Sequence, residues 1–379
     1  MNNSPFVYGR LAQEDCFTDR EGETASLVRD FNNLTNTIII SPRRWGKSSL
    51  VRCAGNLAVS GNSNLRVCYL DVFNVRSENE FYDKLAACVL KSTSSKAEEL
   101  LATAMRYASS LVPSITIGDT LNQLKLEFGH KELKKSADEI LDLAERIAAD
   151  KRIDVVVCID EFQRIASFDD SEAFQARLRS HWQLHKHVAY CLYGSRRHMM
   201  MDVFTNPNKP FYKFGKTIFL EKIAREKWPA FIMRKFKETG KTITESQCLQ
   251  IAELVDDNPY YIQQLSEEVW NRTVRVCEDK AIEDAFNSIV RLNSGLNLSL
   301  TSVLTISQQN LLNAIVNGEK NLSSASVMDR YQLKNSLTVQ RVKKSLVNLD
   351  IIDDFGRVVT MEDPIYAYWL KTIYFNRTL

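Results

Sequence analysis

Ser41-Pro42-Arg43-Arg44-Trp45-Gly46-Lys47-Ser48-Ser49 follows directly on the apolar run Thr37 to Ile40. A buried strand that feeds a tight turn ending in Gly-Lys-Ser, at the mouth of a helix, is a phosphate cradle: backbone N–H groups surround the anion and the lysine adds positive charge. The stretch predicts a strand over Thr37 to Ile40, a helix over Ser48 to Val59, and a nucleoside triphosphate held by Ser41 to Ser49, with Ser48 a candidate Mg²⁺ ligand. The common pattern has glycine five positions before the Gly-Lys, and here that position is Ser41. Context therefore has to carry the reading.

The first context is Val156-Val157-Cys158-Ile159-Asp160-Glu161, an apolar run that ends in two acids. Such a run reads as a buried strand, and its carboxyl end would project both acids beside the phosphate loop. One can hold Mg²⁺ and the other can polarise an attacking water, so Asp160 is assigned to the metal and Glu161 to catalysis with Lys47. A plain acidic turn at a strand end is the competing explanation. The second context is Leu192-Tyr193-Gly194-Ser195-Arg196-Arg197, where a strand ends in a hydroxyl and two guanidinium groups. Ser195 and Arg196 are candidates to sense or stabilise charge on the γ-phosphate. Ser195 is equally a good N-cap for a helix over Arg197 to Phe204.

Further strands are expected at Arg66 to Val72, Val188 to Tyr193 and Thr217 to Leu220, alternating with helices at Glu78 to Ser92 and Asp170 to Leu184. Short continuous apolar runs between helical stretches imply an α/β core with about five mostly parallel strands, covered on both faces. This core is expected over residues 1–222, with a largely helical insert at about 93–152 whose Ile115-Thr116-Ile117 and Leu124-Lys125-Leu126 fragments could pair as a hairpin. Amphipathic helices at Glu226 to Glu238, Glu245 to Val255 and Tyr260 to Val276 define a helical lid domain over 223–292, with a Pro-restarted helix at Pro259. After a polar joint at Asn293 to Thr301, three helical stretches and a hairpin over Ile351 to Val359 with a Phe-Gly turn describe a winged helix over 300–379.

Composition bounds the partners. At 379 residues the chain holds two or three domains, and a formal charge of +2 leaves any polyanion contact to a local patch. Eight scattered cysteines without a Cys-x-x-Cys pair fit free thiols in a reducing compartment, so a cytoplasmic chain is expected, with no signal peptide and no membrane anchor. Residues 301–379 hold nine Lys and Arg against seven Asp and Glu, and the expected recognition helix, Thr338 to Asp350, carries Arg341, Lys343 and Lys344. These could meet DNA phosphates and bases, or form a solvated face used for protein docking or autoinhibition. His181, His185 and His187 show helical ligand spacing, but no cysteine or acid accompanies them at ligand spacing in the sequence, so packing is expected. Trp228, Trp270 and Trp369 likewise read as core.

Phe17-Thr18-Asp19-Arg20-Glu21-Gly22-Glu23 precedes a helix ending near Asn33. A chain crossing here lies near the base end of a nucleotide, with Arg20 the candidate contact, while as bare chemistry Thr18 or Asp19 is an N-cap. The residues support both readings.

With these elements in order, the chain resembles the archaeal-type ATPases of the STAND and AAA+ superfamilies, especially a bacterial branch common in Bacteroidota. The resemblance lies in Phe17 to Glu23, Ile40 to Leu50, Asp160-Glu161-Phe162-Gln163, Gly194 to Arg197, Pro210 to Phe214, Asn258 to Tyr261 and Asp363-Pro364. It makes Ser41 a familiar variant, and it implies a P-loop core, a helical lid and a C-terminal winged helix. It further implies ATP with Mg²⁺, a γ-phosphate sensor at Arg196 and a base contact at Pro259. Archaeal relatives often carry Gly-Arg soon after the strand-end serine, where this chain has Lys213 and Gly215.

Residues and resemblance together predict an ATP-hydrolysing conformational switch that controls assembly or a partner. An ATP-gated DNA-binding regulator or loader is the alternative. The absence of Asn-Lys-x-Asp after the later strands disfavours GTP.

Overall fold

The computed structural model describes residues 4–11, 19–96, 99, 102–103, 106, 113–116, 125–128, 133–356 and 358–378. Cys16, Phe17, Thr18, Val112, Ile117, Gly118, Leu124, Gly129 and Arg357 lie outside them. The chain divides into two compact units: Arg20–Ser41 with Lys47–Glu221, and Met1–Asp19 with Pro42–Gly46 and Lys222–Leu379.

The first unit is built on strands β1 (Thr37–Ile40), β2 (Leu65–Asp71), β3 (Pro113–Thr116), β4 (Lys125–Phe128), β5 (Asp154–Asp160), β6 (Val188–Gly194) and β7 (Lys216–Phe219). Five of them form one sheet in the order β2-β5-β6-β1-β7, with every pairing parallel. All residues of β1 and β6 are buried, as are the central residues of β5, which is why these runs read as continuous apolar sequence and not as alternation. Their helices carry the side chains that cover the sheet. In one core cluster Phe81, Phe162, Phe211 and Phe214 surround Trp182, whose ring stacks on Tyr190 with centroids 4.0 Å apart. The expected hairpin is present, with β3 antiparallel to β4 and Ile115 opposite Leu126.

The histidines meet acids that sequence spacing does not reveal. Acids do accompany them, brought by other helices: His181 contacts Asp138 at 3.2 Å and Asp142 at 2.8 Å, while His185 contacts the same Asp142 oxygen at 3.1 Å and Tyr190 Oη at 2.9 Å. Among the described residues no group of three or more His, Cys, Asp or Glu has the geometry to hold a metal ion. The cluster is a hydrogen-bonded brace beneath Trp182.

The second unit is mainly helical. Trp228–Glu238, Glu245–Leu254, Pro259–Arg272 and Asp279–Ser302 are followed by Ile306–Val316, Ala325–Arg330 and Ser336–Asn348, then by the antiparallel pair β8 (Ile352–Asp353) and β9 (Thr360–Met361) and the helix Pro364–Trp369. The starts follow local chemistry. Thr244 with Gln247 and Thr305 with Gln308 make capping boxes, and Asn258 caps a helix whose first residue is Pro259. Trp228, Trp270 and Trp369 are buried in a single core with Phe6.

Two expectations fail here. The polar joint is not a linker: the helix Asp279–Ser302 runs through Asn293 to Thr301. Asn293 and Ser294 donate to the carbonyls of Ile289 and Val290, and Thr301 donates to that of Asn297, so these three polar side chains are satisfied within the helix. The helix expected to reach Val276 ends at Arg272, because the chain then turns extended to pair with Thr242, which donates to Arg275 O and accepts from Cys277 N. No helix among the described residues is long and apolar enough to cross a membrane.

The His–Asp brace gives a stability test. His185 has a side chain only 3% exposed, so Asp142→Ala removes a partner of a buried ring and should cost about 1–3 kcal/mol. Asp142→Asn keeps an acceptor and should cost less in urea unfolding.

Candidate nucleotide site

Because β6 lies between β1 and β5 and all three run parallel, their carboxyl ends emerge side by side on one edge of the sheet. The site of an open α/β sheet forms at such an edge, outside the carboxyl ends of the strands where the winding reverses. Ser41 follows β1, Asp160 ends β5, and Gly194 ends β6 with Ser195 next. Lys47 and Ser48 open the helix Lys47–Gly61, and the first turn of a helix is where an anion meets backbone N–H groups.

The side chains of the first unit converge. Ser48 Oγ donates to Asp160 Oδ2 at 2.6 Å, while Asp160 Oδ1 accepts from Glu161 N at 2.8 Å. Lys47 Nζ sits 3.3 Å from Glu161 Oε1. Ser195 Oγ donates to Glu161 Oε2 at 2.9 Å, and Gln163 Nε2 donates to the same oxygen. Glu161 has a left-handed backbone, φ 55°, which turns the chain sharply after β5. A hydroxyl paired with a carboxylate is the hard-oxygen donor set that suits Mg²⁺. Ser195 is not the cap of the following helix, since Arg196 occupies the N-cap position without a side-chain cap, and the Ser195 hydroxyl is used on Glu161.

The two acids differ in character. Burial pushes the Asp160 carboxyl above its ordinary value, partly opposed by Lys47 and the Ser48 hydroxyl. Burial pushes Glu161 up as well, but the Lys47 charge and the hydrogen bonds from Gln163 and Ser195 together hold it below the ordinary glutamate range.

Other predicted residues go elsewhere. The Arg20 guanidinium is buried and bonded to Glu23 and to the carbonyl of Glu221, and Arg20 itself is the uncapped N-cap of Glu21–Asn32, the position expected for Thr18 or Asp19. Ser41 and Ser49 are buried, and Arg196 Nη1 approaches Met199 Sδ at 3.9 Å.

Pro42 to Gly46 count with the second unit, as does Pro259, the first residue of its helix. Gly46 has φ 87°, a conformation that excludes most side chains. Arg43 pairs with Asp350 at 3.0 Å. Arg44 donates to Tyr261 Oη at 3.0 Å, lies 3.4 Å from Asp363 Oδ2, and covers the Tyr260 ring at 4.5 Å. Tyr261 also donates to Asp363, whose other oxygen caps the helix Pro364–Trp369.

The sequence assigned no role to Gln163, Tyr261 or Asp363. Asn258-Pro259 reads as a helix start and Asp363-Pro364 enters only through the resemblance, and Arg44 is 319 positions from Asp363 with no local pattern joining them.

Fold and strand-end geometry define a P-loop ATPase core followed by a winged helix. Residues 17–265 match the family described as an ATPase domain predominantly from Archaea, and the chain belongs to that family. Residues 298–372 match a probable winged helix domain. Among solved structures, the chain is similar to the Walker-type ATPase of Pyrococcus abyssi, at 17% identity over 97% of this chain and 99% of that one, with a TM-score of 0.67. It is also similar to the Aeropyrum pernix ORC2 protein in its ADPNP-ADP complexes, at 14% identity over 98% and 96% of the two chains, with a TM-score of 0.59. These identities speak to fold alone. No curated protein matches the chain.

The Asp160 environment sets a pH-dependent prediction. A carboxyl whose folded pKa is raised binds its proton more tightly in the native state, so its ionised form costs stability at neutral pH. Asp160→Asn should raise the melting temperature of the nucleotide-free protein at pH 7. The gain should shrink as pH falls through the carboxylate range.

Proposed function

We propose that this chain binds ATP with Mg²⁺ and hydrolyses it, using the cycle as a conformational switch of the AAA+ and STAND kind that controls assembly or a partner. The observation that carries the proposal is the convergence of Lys47, Ser48, Asp160, Glu161 and Ser195 at one sheet edge. Backbone N–H groups around Lys47 and the Lys47 ammonium would hold the phosphates, with Ser48 and Asp160 holding Mg²⁺. When bound, the cation would neutralise charge on the β- and γ-oxygens.

Glu161, kept ionised by its surroundings, orients a water and accepts its proton as the water oxygen bonds to the γ-phosphorus and the bond to the β–γ bridging oxygen breaks. Ser195 and Arg196 would stabilise the charge that spreads over the γ-oxygens. The switch role draws support from Arg44. The segment between Ser41 and Lys47 is held by Tyr261 and Asp363, so a change in loop shape on phosphate binding alters contacts that reach the helix Pro364–Trp369.

Lys47→Ala should abolish tight ATP binding, measured by calorimetry. Glu161→Gln should keep binding while turnover falls by about a hundredfold or more. Parent-like hydrolysis by both variants would remove the assignment.

A second reading, DNA contact through Ser336–Asn348, rests on exposed Arg341 and Lys344, whereas Lys343 is paired with Asp354 at 2.9 Å. If it holds, DNA affinity falls as salt rises and falls further in the double variant Arg341→Ala with Lys344→Ala. No binding at low salt rejects it.

A further inference from the structure

Glu161 is the base in the proposed hydrolysis, and any role for its neighbours in turnover depends on that assignment. Its carboxylate is held by three donors: Lys47 on Oε1, Ser195 and Gln163 on Oε2. Two of these are groups for which a triphosphate competes. An ammonium at the mouth of a phosphate loop turns to phosphate oxygens, and a strand-end hydroxyl beside it is within the same field. A base whose donors are all drawn away would swing through its rotamers, and geometry within a fraction of an ångström is what proton abstraction requires.

Gln163 is placed differently. It lies two residues after Glu161 on the 3₁₀ turn Phe162–Ser167 and is only 1% exposed. Its amide is pressed against the end of β6: a Cβ added to Gly194 would come within 1.8 Å of Gln163 Oε1 and 2.9 Å of Met200 Sδ. The amide oxygen has no hydrogen-bond partner in the structure. A flip to satisfy it would turn Oε1 onto the Glu161 carboxylate, oxygen against oxygen, so the ionised acid dictates the amide's orientation. Gln163 therefore holds Glu161 by the oxygen that Lys47 does not contact, and the bare Cα of Gly194 is what makes room for it.

We infer that Gln163 is a positioning residue for the catalytic base, the donor that keeps the Glu161 carboxylate aimed after bound triphosphate has engaged Lys47 and Ser195. The charged groups that face Glu161 are Lys47, from the helix Lys47–Gly61, and Asp160, from β5; Gln163 adds a neutral donor that both leave in place.

The test is steady-state ATP hydrolysis by the full chain across pH, with the parent, Glu161→Gln, Gln163→Met and Gln163→Glu side by side and melting temperatures recorded. Gln163→Met fills similar volume without an amide. It should lower kcat about tenfold or more and leave KM for ATP within about threefold. Gln163→Glu can donate only while its new carboxyl is protonated, so its turnover should rise as pH is lowered from about 8 to about 6, where the parent's does not. This second variant answers the question if the methionine variant fails to fold. Parent-like kcat and pH profile in the Gln163 variants, with Glu161→Gln inactive, overturn the role of Gln163 and leave the base assignment standing. Equal loss of kcat and ATP affinity with a collapsed melting temperature assigns Gln163 to folding alone and also overturns it. A parent without hydrolysis, or Glu161→Gln turning over like the parent, defeats the base assignment and Gln163 with it.

Discussion

The constraint on which the site depends is the parallel pairing of β6 with β1 on one side and β5 on the other. Parallel strands share one carboxyl edge, so three segments strung out between Ser41 and Ser195 deliver the Lys47-Ser48 turn, an acid pair and a hydroxyl to the same place. The register puts Ile40 beside Gly194. A slip of one residue would send each of these side chains to the other face of the sheet. Burial of β1 and β6 along their whole length guards against that slip, because no polar side chain in them can be turned toward solvent.

Around that edge, electrostatics separates two neighbouring carboxylates that a sequence presents as equivalents. Asp160 meets a hydroxyl and a backbone N–H in a buried position and resists ionisation, whereas Glu161 meets an ammonium and two neutral donors and ionises readily. In the proposed hydrolysis the first would suit a cation and the second a base. The same division of labour appears in the loop's arginines. Arg43 and Arg44, which look like phosphate ligands in a string of loop residues, are engaged by Asp350, Tyr261 and Asp363.

Legibility in the sequence followed the range of the physics. The five strands are readable because burial on both faces forces unbroken apolar runs, and the helix start at Asn258-Pro259 is readable because capping is settled within four residues. The segment Asn293 to Thr301 reads as a joint because its side chains look polar in isolation, yet Asn293, Ser294 and Thr301 back-bond to their own helix. The histidines read as unaccompanied because Asp138 and Asp142 stand some forty positions earlier in the chain.

By itself the sequence determined that a strand, a Gly-Lys-Ser turn and a helix make a phosphate cradle, that an apolar strand ends in Asp160-Glu161, and that a second ends in Gly194-Ser195. Each of these is a local pattern of burial and hydrogen-bonding capacity. Only the tertiary structure decided which oxygen of Glu161 faces Lys47 and which faces Ser195 and Gln163, that Ser195 serves the acid instead of a helix, and that Arg44 is held by Tyr261 and Asp363. Contacts of that kind depend on where distant segments are brought by a shared core. A carboxylate has no preferred partner until the fold places donors around it.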